Sequence, residues 1–310
     1  MLSSLQSEKK RRELNEKLIK SALILAAAIS ILTTFGILFS ILFEAIEFFQ
    51  LRSFWYFLTG TIWSPGVANS QFGALPIFAG TFVITIIALL VAIPIGLGSA
   101  IYMSEYASSK LRDYLKPILE ILAGIPTVVY GFFAAITVAP LVVKVAAFFG
   151  LEATFNSALA SGIVMGIMII PLISSLSDDV IRAVPDSQRK AAFALGMTHG
   201  ETIKNIVIPS AMPGIISASL LALSRALGET MIVVMAAGLR PNLSWNPLED
   251  MTTVTVTIVN SLVGDFEFNS PETLSAFALG LMLFIVTLIL NMISLSLIRK
   301  FKEKYKVNTL

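Results

Sequence analysis

The sequence contains no cysteine and a single histidine, His199. Without cysteine the chain can form no disulfide, no zinc–thiolate site and no cysteine nucleophile. One histidine cannot build a cluster of imidazole metal ligands, and it leaves no plausible Ser/His/Asp set. The pattern G-x-x-x-x-G-K-[ST], whose backbone cradles nucleotide phosphates, is also missing. We therefore expect a protein that is not an enzyme and that carries no cofactor and no metal.

Charge is scarce as well. Only 14% of the residues are charged and 56% are hydrophobic, whereas a soluble domain carries about 25% charged residues. That is too little charge to coat a water-soluble globule of 310 residues. The composition predicts a membrane protein that lies in the lipid bilayer. We expect it to bind no nucleic acid.

Six apolar runs are long enough to cross a bilayer, which takes about 20 residues. The first run is too long for the core of a cleaved signal peptide, so we interpret it as a retained anchor. The pattern predicts an all-α integral membrane protein with six transmembrane helices. The runs cover 21–43, 73–102, 118–143, 157–177, 211–238 and 273–298.

The distribution of Lys and Arg orients these helices. Of the 22 Lys and Arg residues, 18 lie in the N-terminal segment, the C-terminal tail and two of the connections. The other connections hold only Arg52, Lys144 and Arg240. Because positive residues collect on the cytoplasmic side, both termini are predicted to be cytoplasmic. The division is a basic segment 1–20, a membrane domain 21–298 with a cytoplasmic loop 178–210, and a basic tail 299–310.

Three local sequence features each lead to a structural prediction. Gly162-x-x-x-Gly166 places small residues one turn apart and is interpreted as helix packing. The segment 251–264 is apolar and too short to span, so a re-entrant segment and an amphipathic outer loop both remain open. Asp178 and Asp179 end the fourth run, where we expect them to be solvated.

The loop 178–210 contains "RKAAFALGMTHGETIKNIVIP", residues 189–209. Its composition predicts a short helix, a glycine turn and a second helix that leads into the membrane. The stretch resembles the "EAA" loop of ATP-binding-cassette (ABC) import permeases, with paired alanines, glycine, isoleucine and proline at the family's spacing. Lys190 replaces the usual glutamate and Ile208 the usual leucine. The matching residues are Ala191, Ala192, Gly196, Ile206 and Pro209.

The resemblance implies that residues 178–210, here named the coupling segment, contact a separate ATPase and transmit its closure. Gly196 allows a backbone turn that a side chain would hinder. The residues implied in ATPase coupling are Arg189, Lys190, Ala191, Ala192, Gly196, Thr198 and Pro209.

Further stretches resemble the permeases of phosphate-specific transport systems, over about residues 58–300. They are "FGALPIFAGTF", "SEYASSKLRDYLKPILEILAGIPTVVYGFF" and "SRALGETM", while "FLTGTIWSP" favours the C-type over the A-type permease. This likeness implies the type I ABC importer permease fold and a place in the cell membrane. The implied partners are an A-type companion permease, two copies of an ATP-binding subunit, an extracytoplasmic phosphate-binding protein and inorganic phosphate.

Arg225 and Glu229 stand out because they lie in the middle of the fifth run, four residues apart. A charge at the bilayer centre costs roughly 2.5–3.5 kcal/mol, and residues four apart share a helix face. The pair can be a structural salt bridge or part of a substrate pathway in which arginine binds phosphate oxygens. Thr127 and Tyr130 could offer hydroxyls to the same anion or to neighbouring helices. Another oxyanion, such as sulfate or molybdate, and an ATPase-independent transporter or channel remain alternatives.

Overall fold

Helices make up nearly all the regular structure in the described residues, 2–66, 70–263, 267 and 269–304, of this computed structural model. Within those ranges one small antiparallel hairpin is present, in which β1 (Trp63–Ser64) pairs with β2 (Gln71–Phe72). Three π-helical turns continue longer helices, at Tyr102–Tyr106, Ala134–Val138 and Ile203–Val207. The helices are α1 (Leu2–Leu51), α2 (Phe54–Thr59), α3 (Leu75–Ile101), α4 (Ser109–Ala123), α5 (Thr127–Phe133), α6 (Ala139–Phe148), α7 (Ala158–Arg182), α8 (Asp186–Ala194), α9 (His199–Thr202), α10 (Ile208–Leu227), α11 (Met231–Ala236), α12 (Val254–Val263) and α13 (Pro271–Lys304).

Six helical runs in the described ranges are long and apolar enough to cross a membrane, which confirms the predicted number. The predicted bounds agree best for the sixth run, which the structure extends by two residues at each end, and differ most for the fifth. The observed spans are Asn15–Leu51, Leu75–Tyr106, Thr127–Phe148, Ala158–Arg182, His199–Leu227 and Pro271–Lys300.

The third span begins at Thr127, nine residues later than the predicted residue 118. Residues before it form α4, a separate amphipathic helix that Ser108 caps by accepting a hydrogen bond from the Leu111 N–H. Pro126 disfavours helical backbone in the residue before it, so the chain breaks between α4 and α5. Glu120 consequently lies exposed on α4 and not inside the membrane span. The apolar C-terminal half of α4 misled the sequence prediction.

α4 is tied to the end of α7 by ion pairs. The Arg112 guanidinium donates to both carboxylate oxygens of Asp178, with Nη2 at 2.7 Å from Oδ2, and Lys116 pairs with Asp179. The side chain of Asp178 is only 1% exposed. Its hydrogen bond to the guanidinium holds the pKa of Arg112 above its usual value. The expectation that Asp178 is solvated was therefore wrong, because its partner comes from a helix 66 residues away.

The core of the membrane domain is the contact between α3 and α7. A side-chain methyl at Gly162 would overlap Ile87, and one at Gly166 would overlap the Ala88 carbonyl and Val91. These glycines thus allow the two backbones to approach closely, as small residues do in membranes. The interpretation of Gly162-x-x-x-Gly166 as a packing motif is confirmed.

The fifth span ends at Leu227, eleven residues before the predicted bound. Gly228 terminates α10, and the chain resumes as the six-residue helix α11. At its other end α10 continues without interruption from α9 through the turn Ile203–Val207. The predicted single run 211–238 is therefore two helices, and its proline-marked start lies inside a longer helical run.

The apolar segment before α13 is folded inward. Met251, Thr252 and Thr253 are buried, and α12 buries Val254 and Val256. The Val254 N–H donates to the Thr81 hydroxyl of α3 at 3.0 Å. α12 also has an exposed side with Val259, Leu262 and Val263, so both the re-entrant and the amphipathic interpretations stay open for 251–263; Gly264 lies outside the described residues.

Gly80 in α3 is expected to be intolerant of even one methyl group. A Cβ there would lie well inside 3.0 Å of the Thr252 carbonyl oxygen, which is backbone and cannot rotate away. Overpacking typically costs about 1–3 kcal/mol, so Gly80→Ala should lower the thermal unfolding midpoint of the purified chain clearly. Gly98→Ala is the matched control, because that glycine lies in the same helix with nothing within 4 Å. Equal midpoints for the two variants would contradict this packing.

Candidate functional site

The break between α10 and α11 is organised by Glu229. Its carboxylate accepts hydrogen bonds from the backbone N–H groups of Met231, at 3.1 Å, and Ile232, at 3.3 Å. The Thr255 hydroxyl of α12 donates to the Glu229 carbonyl at 2.7 Å. With 8% of its surface exposed, Glu229 is a buried residue that caps α11.

Arg225 lies in the last turn of α10 and is exposed. The ion pairs found among the described residues do not include it. The prediction that Arg225 and Glu229 share one face of a continuous helix was wrong, because Gly228 ends the helix between them. The Arg225 side chain is exposed, whereas the Glu229 carboxylate is bound to backbone N–H groups.

Thr127 and Tyr130 lie on α5. Thr127 begins the helix and is partly buried, and the Tyr130 hydroxyl donates to the Leu122 carbonyl of α4 at 3.0 Å. At Gly131 a Cβ would lie 2.7 Å from the Met235 sulfur of α11 and 3.2 Å from the Met231 carbonyl. The packing alternative is thus realised for Tyr130, and α5 packs against α11, the helix that follows the break at Gly228.

The break between α10 and α11 lies within the depth of the membrane domain. The Ala236 carbonyl, at the end of α11, accepts from the N–H of Ser157, which caps the start of α7. Six helical residues span about 9 Å, so the break lies at most about that far from the start of α7. An exposed cation at such a depth requires a polar pathway or a partner chain beside it.

The coupling segment has the predicted helix–turn–helix form. The Gly196 N–H donates to the Phe193 carbonyl at 3.0 Å, and the Met197 N–H donates to the Ala192 carbonyl at 3.2 Å. These two bonds form a Schellman motif, which needs a left-handed residue after the helix; Gly196 supplies it with φ +80°.

The second helix of the coupling segment begins with a capping box. The Thr198 hydroxyl accepts from the Glu201 N–H, and the Glu201 carboxylate accepts from the Thr198 N–H at 2.8 Å. Thr198 thus sets where α9 starts, directly after the glycine turn, and it stays exposed. The spacing of the motif correctly predicted both the turn and the second helix.

The coupling residues differ in where they point. Lys190 and Ala191 are exposed, together with Phe193 and Leu195, the last of which is 80% exposed. Ala192 is buried, and Pro209 is partly buried in the first turn of α10. The exposed residues form a surface of small and apolar side chains around one lysine, suited to a protein partner.

Arg189 points inward. Its guanidinium donates to Glu105 Oε1 at 2.8 Å and to the Ile181 carbonyl at 3.0 Å, and it also binds the Val184 carbonyl. The side chain is 16% exposed, so it holds α8 to the rest of the molecule instead of presenting itself at the surface.

Sequence reasoning missed three residues: Glu105, Gly131 and Thr255. Glu105 lies in "MSEYAS", where a charge just after an apolar run was a usable signal. Nothing local marks Gly131 or Thr255, since their roles depend on helices that are distant in the chain. In the part of the chain that the structure describes, no three His, Asp or Glu side chains are grouped to hold a metal ion.

Comparisons with known proteins bear on the family of the whole chain. A model of the family described as "Binding-protein-dependent transport system inner membrane component" matches residues 92–306. The chain is 35% identical to the probable ABC transporter permease protein YqgH of Bacillus subtilis, over 81% of this chain and 78% of the relative. It is 35% identical to the phosphate transport system permease protein PstC of Mesorhizobium japonicum, over 86% and 84%. The PstC of Haemophilus influenzae is 30% identical, over 95% and 98%.

Two solved structures share the fold. The bacterial alginate ABC transporter in complex with its periplasmic protein matches with a TM-score of 0.59 at 15% identity, over 90% of this chain and 94% of that chain. The inward-facing MetNI methionine ABC transporter matches with a TM-score of 0.55 at 15% identity, over 73% and 93%. At such identities the likeness concerns the architecture alone.

Proposed function

The chain belongs to the family of binding-protein-dependent transport-system inner membrane components, and from this premise we propose that it is the C-type permease subunit of an ATP-driven importer of inorganic phosphate. Its fold is that of a type I ABC importer permease, with several spans in the inner membrane. The observation that carries the substrate assignment is Arg225, an exposed cation inside the membrane domain, in a chain whose relatives include phosphate permeases.

The chemistry of the site suits phosphate. The planar guanidinium of arginine offers paired donors that match two oxygens of the anion. Because Glu229 is occupied by the N–H groups of α11, it does not neutralise Arg225 in this conformation. Thr127 and Tyr130 would line the same path from α5. A conformational change that releases Glu229 toward Arg225 would compete with the anion and promote its release.

The family implies an ATPase and a substrate-binding protein as partners. In our proposal two ATP-binding subunits dock on the exposed residues of the coupling segment and hydrolyse ATP, which this chain does not do itself. An A-type companion permease completes the pathway, and the phosphate-binding protein docks on the opposite end. Both termini lie in the cytoplasm, with 1–20 and 299–310 as cytoplasmic segments flanking the permease domain 21–298.

Reconstituted vesicles test the assignment. Phosphate uptake into vesicles that contain the four kinds of subunit should require ATP and should fall to background when either the ATPase or the binding protein is left out. A competing anion in about tenfold excess would lower phosphate uptake if it bound the same site with similar affinity. Sulfate and molybdate at this excess should leave phosphate uptake unchanged. Uptake without the ATPase would indicate a channel or secondary transporter, and strong competition would indicate a different oxyanion.

A further inference from the structure

We propose that the Arg189–Glu105 ion pair is a positioning contact through which the coupling segment drives the second membrane span, alongside its direct connection to the fifth. The proposal rests on the assignment of this chain as the permease of an ATP-driven importer. It concerns residues outside the transport pathway, and it predicts an effect on the coupling between ATP hydrolysis and transport.

Arg189 connects three elements. Besides Glu105, it binds the Ile181 carbonyl in the last turn of α7 and the Val184 carbonyl just after that helix. The side chains of Arg189 and Glu105 are 16% and 5% exposed. A buried ion pair often adds little net stability over an apolar contact, so stability alone gives little reason for a charged pair at this position.

The other helix of the coupling segment reaches the same turn. His199 Nε2 lies 3.2 Å from the Glu105 carbonyl oxygen, and its ring meets the edge of the Tyr106 ring at 5.1 Å. The Phe193 ring of α8 stacks on His199 at 6.2 Å. Both α8 and α9 therefore contact the π-helical turn Tyr102–Tyr106, which directly continues α3.

α3 leads from this turn to the pathway. The helix has 27 residues, and Gly80 and Thr81 near its far end contact the segment that starts α12. From α12, Thr255 binds the Glu229 carbonyl at the α10–α11 break. A chain of packed contacts therefore connects the ATPase-facing segment to the Glu229 cap through α3. Such a series of contacts transmits a conformational change only if its elements can adopt two discrete conformations.

The first experiment measures phosphate transported per ATP hydrolysed in the reconstituted complex. Glu105→Gln and Arg189→Gln should each lower this ratio about tenfold while ATP hydrolysis continues. Arg189→Lys keeps a cation that can donate to Glu105 and should recover a large part of the ratio lost in Arg189→Gln, a result that a role of side-chain bulk alone would not produce. Asp179→Asn, which breaks an exposed ion pair at the same end of the molecule, is the control and should behave as wild type.

A second experiment covers the case in which these variants do not assemble. The chain has no cysteine, so Tyr106→Cys with His199→Cys can be joined by a short thiol cross-linker. If α9 and the turn move together, the cross-linked complex should transport phosphate at the rate of the same variant after the link is cleaved. A cross-link that blocks transport would overturn the proposal, as would an unchanged transport ratio in Glu105→Gln. Failure of the wild-type complex to import phosphate would instead count against the proposed substrate.

Discussion

Gly196→Val is expected to abolish ATP-driven phosphate uptake while leaving the chain inserted in the membrane. The glycine adopts φ +80°, a conformation that a β-branched residue avoids. Nothing lies within 4 Å of a Cβ at this position, so the effect comes from the backbone and not from a steric clash. Strain of about 1–3 kcal/mol is enough to open the Schellman turn and redirect α9, which leaves the buried membrane core unaffected. Phosphate uptake into vesicles measures the loss of transport, and the amount of the variant in the membrane fraction measures its insertion.

Gly196→Asn is the matched variant, since asparagine tolerates the left-handed conformation better than other residues. We expect it to retain most of the uptake, and Gly196→Ala to fall between asparagine and valine. This order follows backbone preference and not side-chain volume. If Gly196→Val took up phosphate at the wild-type rate, this turn would have no role in coupling. If Gly196→Asn and Gly196→Val lost uptake equally, the loss would come from the added side chain and not from the backbone conformation.

Arg225→Gln is expected to lower phosphate uptake by about 10- to 100-fold, since hydrogen bonds to charged groups contribute roughly 1.5–3 kcal/mol. The loss should appear in transport while the complex still assembles, because the structure gives the Arg225 guanidinium no ion pair within the described residues. Arg225→Lys keeps the charge but loses the paired donors, so an intermediate rate is expected. Initial rates of phosphate uptake at saturating ATP provide the measurement.

Glu229 and Arg240 supply the comparisons for this variant. Glu229→Gln keeps an oxygen that can accept from the N–H groups of α11, so its effect should be smaller than that of Arg225→Gln. Arg240→Gln removes an exposed cation from the loop after α11 and should leave uptake unchanged. If Arg225→Gln combined with Glu229→Gln imported phosphate at the wild-type rate, neither residue would belong to the pathway.

Long apolar runs predicted the number of spans, because the need to satisfy backbone groups in lipid leaves the chain little choice. They did not predict the interruptions. At 124–126 and 228–230 only three residues separate two helices, and apolar sequence flanks both breaks, so the sequence predicts one continuous run at each place. Such breaks depend on whether neighbouring helices satisfy the freed backbone groups, as Thr255 does for the Glu229 carbonyl.

In the coupling segment too, contacts between residues close in sequence were predictable, and contacts between residues far apart in sequence were not. The turn at Gly196 and the cap at Thr198 were predictable from spacing, since both are formed by residues close together in the chain. The inward direction of Arg189 was not, because its partner Glu105 lies 84 residues away. Asp178 is the parallel case, since its burial depends on Arg112.

The three π-helical turns, Tyr102–Tyr106, Ala134–Val138 and Ile203–Val207, also set a rule for labelling studies of this chain. Each turn inserts one residue into an otherwise α-helical run, which rotates everything beyond it by about 100°. A cysteine-accessibility scan along the third or fifth span, where the helix continues past its turn, should therefore show reactivity that recurs every three to four residues, then shifts phase by one residue at the turn. The turn Tyr102–Tyr106 ends the second span, so no phase shift follows it there. A scan fitted with a single helical period would assign residues beyond each turn to the wrong face.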